Sequence, residues 1–416
     1  MNETPRSYKW ELLFILWVAY FLNQGDRQIY NAVLPLIKTD LGLSDVQLGL
    51  VATAFTLLYG VFVPLAGCLG DFVTKKWIVC LSLLTFSAGT LCTGFSTSLL
   101  LLIVFRSVAT GVGEAFYYPA ANSLIGQYHH TTRAQAMAVH QSSLYIGIVA
   151  SSWIAGWVGE SRGWRATFYT FGTFGLLMAG VVALRLRNEH RDAQPVQPRE
   201  TEPPIRLREV LRAVLRTRTI YFLSLAFGAM VFATAGYMTW MPTFLHEKFH
   251  LSVKDAALNS MIYHFIFAFI GVMVGGRVSD RLAARRPTIR MEMGYIGLLF
   301  GAPFIWLMGW SSNLTLVYVA LAGFGFFRGL YDSNLFAALF DVIPLRYRSS
   351  ATGLMLACAF TVGATSPVLL GYVKGRVGLD IALSSMGLVY LFGAALIYVA
   401  VKTCFAKDYR RGEVAT

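Results

Sequence analysis

The chain of 416 residues is 56% hydrophobic and only 14% charged, too few charges to clothe a water-soluble fold of this size. The net charge of +13 is spread unevenly and leaves long apolar runs, which points to repeated membrane spans and away from nucleic-acid binding. Cys68, Cys80, Cys92, Cys358 and Cys404 lie in or beside apolar runs without a CxxC pair, so they read as small packing residues rather than a metal site or disulfide frame.

The first apolar run starts at Leu12 and outlasts a signal peptide, with no small-residue cleavage site behind it, so it is expected to remain as the first span. Its second half is anomalous. Asn23, Gln24, Asp26, Arg27, Gln28, Tyr30 and Asn31 follow one another between Leu22 and Ala32. A charge at the centre of a membrane helix costs roughly 2.5–3.5 kcal/mol on insertion scales, so such groups belong in a protein-lined cavity. Further spans are expected at 44–69, 75–95, 97–125, 133–157 and 165–186, then at 219–243, 254–281, 290–310, 314–342, 349–373 and 380–404, with the first at 11–36. About 20 residues suffice to cross ~30 Å of hydrocarbon.

Four segments follow from this pattern: an N-terminal bundle of six helices (1–186), a basic linker (187–218), a C-terminal bundle of six (219–404) and a tail (405–416). The region 185–218 carries nine arginines among four prolines, and Leu207, Val210, Leu211, Val214 and Leu215 predict a short amphipathic helix on an anionic membrane surface. With the N-terminus inside, 24 of the 35 Lys and Arg fall on inner segments and seven on outer ones, so both termini are expected in the cytoplasm. The halves look like copies. Gly67 to Asp71 with Lys75 and Lys76 closes the second span; Gly276 to Asp280 with Arg281, Arg285 and Arg286 closes the eighth. Pro35 is matched by Pro242, and Arg133 by Arg348, a weak internal symmetry of the kind that builds rocking transporters.

The loop motif Gly67-x-Leu69-Gly70-Asp71-x-x-x-Lys75-Lys76, in a chain of two six-span halves, resembles the major facilitator superfamily. The expected fold is therefore an all-α integral membrane protein of twelve transmembrane helices in two pseudo-symmetric bundles. Asp26-Arg27, Gly111-Val112-Gly113-Glu114-Ala115 and Trp240-Met241-Pro242-Thr243-Phe244-Leu245 narrow the resemblance to the spinster-like transporters and the anion:cation symporters. The first group implies lysolipid or sphingoid cargo, the second organic anions such as sugar acids. In both, an arginine lies seven residues before the glutamate. Here that position is Ser107 and the arginine is Arg106, which an ideal helix turns away by about 100°.

Candidate residues follow. Asp26 and Glu114 are the proton-coupling carboxylates, since an acid in a poorly solvated cavity can exchange a proton at physiological pH. Arg27, Arg106 and Arg328 offer planar forks for carboxylate or phosphate, with Asp332 one turn after Arg328. His264 and His140 are lone histidines on apolar runs, either relays or satisfied core groups. Tyr30, Asn31, Tyr59, Tyr117, Asn122, Gln141, Tyr145, Tyr237, Trp240, Tyr331 and Asn334 complete the cavity candidates. Gly67, Asp71, Lys75, Lys76, Gly276, Asp280 and Arg281 form an expected conformational latch, acids at helix ends beside basic loops. No P-loop, metal spacing or Gly-x-Ser-x-Gly is present, so no cofactor and no enzymatic reaction are expected. The expectation is a monomeric, proton-coupled secondary transporter in a bacterial inner membrane. Its cargo is a small organic anion, alternatively a lysolipid. A sensor with the same fold is the third alternative.

Overall fold

A computed structural model describes residues 6–69, 73–129, 132–187, 216–344 and 347–414. The amphipathic helix expected at 205–215 and the motif residues Gly70 and Asp71 lie outside the described residues.

The described chain is all-helical. The first half runs α1 (Arg6–Ala32), α2 (Leu34–Leu41), α3 (Asp45–Leu69) and α4 (Lys75–Thr93). It continues with α5 (Leu99–Tyr128), α6 (Arg133–Arg162) and α7 (Trp164–Arg185). The second half runs α8 (Arg218–Phe249), α9 (Val253–Ala283), α10 (Ile289–Trp310) and α11 (Leu314–Phe340). Then come α12 (Arg348–Ala364), α13 (Ser366–Val377), α14 (Leu379–Thr403) and α15 (Phe405–Val414). Among the described residues, 11 helices are long and apolar enough to cross a membrane. Helix α1, at 27 residues, has the length but not the apolarity, because the polar stretch from Asn23 to Asn31 occupies its second half. The twelve expected spans are thus all present as helices.

Two spans are broken at prolines. Pro35 stands in the first turn of α2, and the helix direction is interrupted at Val33 (φ −101°, ψ 11°). Pro367 stands likewise at the start of α13, after Thr365. A proline ring has no N–H and crowds the carbonyl four residues back, which favours a break there. Pro242, the expected counterpart of Pro35, sits inside an unbroken α8.

The chain divides into two compact units. The first is Met1–Val196 with Met241–Met261; the second is Gln197–Trp240 with Ile262–Thr416. Within each, glycines let backbones meet, the packing device of membrane helices. In the first unit a Cβ on Gly113 would stand 2.7 Å from the Phe86 backbone nitrogen, and one on Gly89 2.9 Å from that of Thr110, so α4 and α5 touch backbone to backbone. In the second, Gly325 and Gly329 of α11 lie against the carbonyls of His264 and Ala268 on α9. This approach sets the distance between α9 and α11 side chains.

The tail begins as a helix held to the start of α8. Phe405 and Asp408 are buried, and the Asp408 carboxylate accepts from the Thr219 backbone N–H (2.9 Å) and hydroxyl (2.8 Å). It satisfies an otherwise orphaned helix N-terminus.

Candidate functional site

In α1 the residues Asn23, Arg27, Tyr30 and Asn31 recur at intervals of three and four, so they share one helix face. The Asn31 amide confirms the register by donating to the Arg27 carbonyl at 3.2 Å. Tyr30 donates to the Leu48 carbonyl of α3 at 2.9 Å, which ties this face to its neighbour. Asp26 and Arg27 do not pair with each other. Adjacent helical residues diverge by about 100°. Arg27 Nε instead donates to Glu114 Oε2 at 2.7 Å, and Asp26 Oδ2 accepts from the Thr90 hydroxyl at 2.8 Å. The counter-charge of Arg27 thus comes from α5 and not from its sequence neighbour Asp26. Asn23 adds a contact to the Glu114 carbonyl at 3.4 Å.

Two guanidinium groups flank one phenylalanine. Arg27 lies over Tyr59 at 4.0 Å and Arg106 over Phe55 at 4.2 Å, with Phe55 also 6.0 Å from Arg27. Phe55 and Tyr59 are one turn apart on α3 and so present both rings to the same side. Such cation–π contacts are worth about 0.5–1 kcal/mol exposed and ~2 or more when desolvated. Arg106 is 3% exposed, lies 5.8 Å from the Tyr30 ring, and its Nη2 reaches the Arg27 carbonyl at 3.4 Å.

Arg106 is therefore not turned away from the site. The expected rotation assumed an ideal helix, whereas Ile103–Ala109 is a π-helix. The wider turn absorbs one residue and returns Arg106 to the face of Glu114.

The site is under-satisfied. Arg27 Nη2, Arg106 Nε and Nη1, and Glu114 Oε1 are buried and have no hydrogen-bond partner among the described residues. Buried polar groups normally find partners, so three donors and one acceptor left over in one place stand out. With both acids ionised the four charges cancel.

Other candidates of this unit lie elsewhere. Tyr117 is fully buried, donates to the Leu16 carbonyl and lies 3.3 Å from His140 Nε2. His140 stacks on Tyr20 at 4.6 Å. Since the Tyr117 proton is spent on Leu16, the His140 ring donates to its oxygen, and the pair is a satisfied core contact. Asn122, Gln141 and Tyr145 are half-buried on α5 and α6, and Tyr118 makes a long 3.5 Å contact to Gln141.

The second unit holds its own cluster. His264 Nε2 lies 2.9 Å from Arg328 Nη1. A guanidinium only donates, so Nε2 accepts and the ring proton sits on Nδ1, which has no partner among the described residues. Arg328 Nε is 3.3 Å from Asp332 Oδ2, one turn along the same helix. Tyr237 packs on His264 at 4.7 Å between ring centres, and Phe324 at 4.6 Å. Tyr331 is buried against Gly297 of α10. Asn334 is spent locally on the Leu330 carbonyl and the Ser333 hydroxyl, both at 3.0 Å. Trp240 is fully buried and donates to the Pro367 carbonyl at 2.9 Å.

Of the latch candidates, Gly67 lies in the last turn of α3 and Lys75 begins α4. Lys76 is nearly buried, with its ammonium 5.1 Å from the Trp77 ring. Gly276 has open space around it, and Asp280 and Arg281 are exposed near the end of α9. At the start of α10 Arg290 pairs with Asp341, a contact the sequence did not announce, and Arg348, the counterpart of Arg133, donates to the Phe340 carbonyl at 3.0 Å. Thr90 and Phe55 were also missed. Each is an ordinary residue of an apolar span, given meaning only by a partner far away in sequence.

Residues 16–367 match the family model described as Major Facilitator Superfamily. The chain is similar to the probable sulfoacetate transporter SauU of Cupriavidus necator, 27% identical over 97% of this chain and 96% of that protein. It is similar to a hexuronate transporter of Bacillus subtilis, 26% identical over 89% of each. In structure it resembles a bacterial homologue of the human lysosomal transporter spinster, with a TM-score of 0.86 and 22% identity over 97% of this chain and 99% of that one. That likeness establishes the shared fold.

Proposed function

Because the chain belongs to the Major Facilitator Superfamily, we propose that it is a secondary transporter that carries a small organic anion together with a proton by alternating access. One observation supports this reading: Arg27 pairs with Glu114 and Arg106 reaches the Arg27 carbonyl, with three buried donor nitrogens and one carboxylate oxygen left over. The names of the sulfoacetate and hexuronate transporters, both moving acids, agree with it.

The proposed chemistry follows from charge. With Glu114 ionised, Arg27 is neutralised and the site is balanced. A proton on Glu114 ends that ion pair and frees the Arg27 fork. Asp26, Arg27 and Arg106 then sum to +1 and accept the carboxylate or sulfonate of the cargo. Anion release and proton release restore the Arg27–Glu114 pair. Asp26, held by Thr90, is the second proton-exchanging acid. Tyr30, Asn31 and Tyr59 shape the site around the two arginines. The exposed groups Asp280 and Arg281, with Gly276, Gly67, Asp71, Lys75 and Lys76, would serve as the latch on the cytoplasmic side. Within the second unit Arg328, with Asp332, His264, Tyr237 and Tyr331, forms a separate polar cluster whose ion pair is internal to one helix.

The test is uptake by purified protein in sealed vesicles. Sulfoacetate, D-glucuronate and a lysophospholipid are each offered with and without an acid-outside pH gradient. The expected result is gradient-driven accumulation of an acid, abolished in Glu114→Gln. Accumulation independent of the gradient removes proton coupling. Movement of the lysophospholipid alone, the other cargo class implied by the sequence resemblance, removes the anion reading.

A further inference from the structure

Helix α5 is pinned at two places. At its start the Ser98 hydroxyl caps it by accepting from the Leu101 N–H. Further on, its backbone is pressed against α4: a Cβ on Gly89 would meet Ala109 and Thr110 within 2.9 Å, and one on Gly113 the Phe86 nitrogen at 2.7 Å. A helix clamped in this way cannot rotate as a body to choose which residue faces α1. Between the clamps runs the π segment Ile103–Ala109, closed by the Thr110 N–H reaching back five residues to the Phe105 carbonyl.

The consequence is one of register. Arg106 and Glu114 are eight residues apart, which an unbroken α-helix would set about 80° apart around the axis. Ser107, seven residues before Glu114, would share the Glu114 face to within about 20°. The structure has the reverse. Arg106 lies with Arg27, Phe55 and Tyr30 at the site, and Ser107 is buried and donates to the Val51 carbonyl at 2.8 Å. Val104 and Val108, in the same turn, are exposed apolar residues and take no part in either contact.

We propose that the π turn is the positioning device of the anion site: its one extra residue sends Arg106 to the cargo's acid group and Ser107 to the α3 backbone. Arg106 thereby depends on the turn, not on its spacing from Glu114. The cargo in this statement rests on the organic-anion reading above; the register does not.

Two variants with opposite expected outcomes test it. Deletion of Val108 removes the extra residue and lets the segment close as an α-helix, with Arg106 now seven residues before the glutamate and on its face. Uptake of the transported acid keeps a KM within about threefold of the natural chain, and the melting temperature is held or raised. The exchange Arg106→Ser with Ser107→Arg keeps composition, length and π turn but sends the guanidinium towards Val51. Its KM rises by at least about tenfold, and the substrate-free protein melts several degrees lower. Natural-like uptake and melting by the exchange variant overturn the proposal, as does a folded deletion variant that has lost the acid. If the deletion does not fold, the exchange decides, because it leaves the length untouched. If the natural chain moves no acid at all, the functional reading fails, while the melting order of the same proteins still decides the register.

Discussion

Each unit buries arginine in an apolar bundle, but the two satisfy it in different ways. In the first, Arg27 on α1 takes its counter-charge from Glu114 on α5, 87 residues away. In the second, Arg328 takes Asp332 from its own helix and a neutral imidazole from α9. A pair within one turn travels with its helix and keeps its partner through any rigid movement. A pair between helices can be parted by movement or by a proton. On the proposed cycle, the variable charge belongs to the first unit and the fixed charge to the second.

Breaking the inter-helix pair is expected to have the largest effect. Arg27→Ala strands a buried carboxylate, and removing one partner of such a pair costs about 3–5 kcal/mol. Uptake is lost and the melting temperature falls. The double variant Arg27→Ala with Glu114→Gln melts above Arg27→Ala alone, since no stranded charge remains. A double variant that melts no higher than Arg27→Ala would show that Glu114 is not the partner that matters.

The intra-unit cluster of α9 and α11 comes next. His264→Phe removes the acceptor facing Arg328; a hydrogen bond to a charged group is worth about 1.5–3 kcal/mol. Its KM for the acid rises with little change in the pH profile. His264→Gln, whose carbonyl can accept in the same place, recovers most of the loss. If the pH profile moves instead, His264 takes part in proton exchange and the contrast between variable and fixed charge fails.

Phe55→Ala sharpens the comparison from the aromatic side. It removes the ring shared by Arg27 and Arg106 while leaving every charge. A loss of about 1–2 kcal/mol in acid affinity is expected, with the pH dependence unchanged, because ring contacts are not protonated. Equal affinity in the variant would mean that the ring only fills space.

The smallest effect is expected outside the membrane. Asp40 accepts from Arg165 and, at 3.1 Å, from the Trp164 indole, and the Arg165 hydrogen bond holds its carboxyl below the usual carboxylate range. A depressed folded value means the pair stabilises above the unfolded pKa of about 3.9 and that this is lost as pH falls through the folded value. The group is largely exposed, so the whole effect is at most about 1 kcal/mol. Melting from pH 7 down to 3 should show Asp40→Asn slightly lower at pH 7 and level with the natural chain at the acid end.

Much of this was legible in the sequence. The run of apolar segments gave the twelve helices to within a few residues, and the polar stretch from Asn23 to Asn31 announced a lined cavity. Glu114, Arg27 and Arg328 could be singled out because a charge in a membrane span needs a reason wherever it lies. The one-turn spacing also offered Asp332 as a partner for Arg328, but the partners contributed by other helices could not be read. Asp26 and Arg27 are neighbours in sequence and strangers in space, because a helix turns them about 100° apart. Thr90 and Phe55 are unremarkable until α4 and α3 are packed against α1.

Composition and charge periodicity determined by themselves that this chain spans a membrane repeatedly and lines part of its interior with acids and arginines, since lipid tolerates neither without a partner. The tertiary structure alone decided which acid meets which arginine. It also decided that Arg106 belongs with them: where α4 presses on α5, one surplus residue becomes a π turn, and the register that sequence spacing implies is replaced by the one that packing enforces.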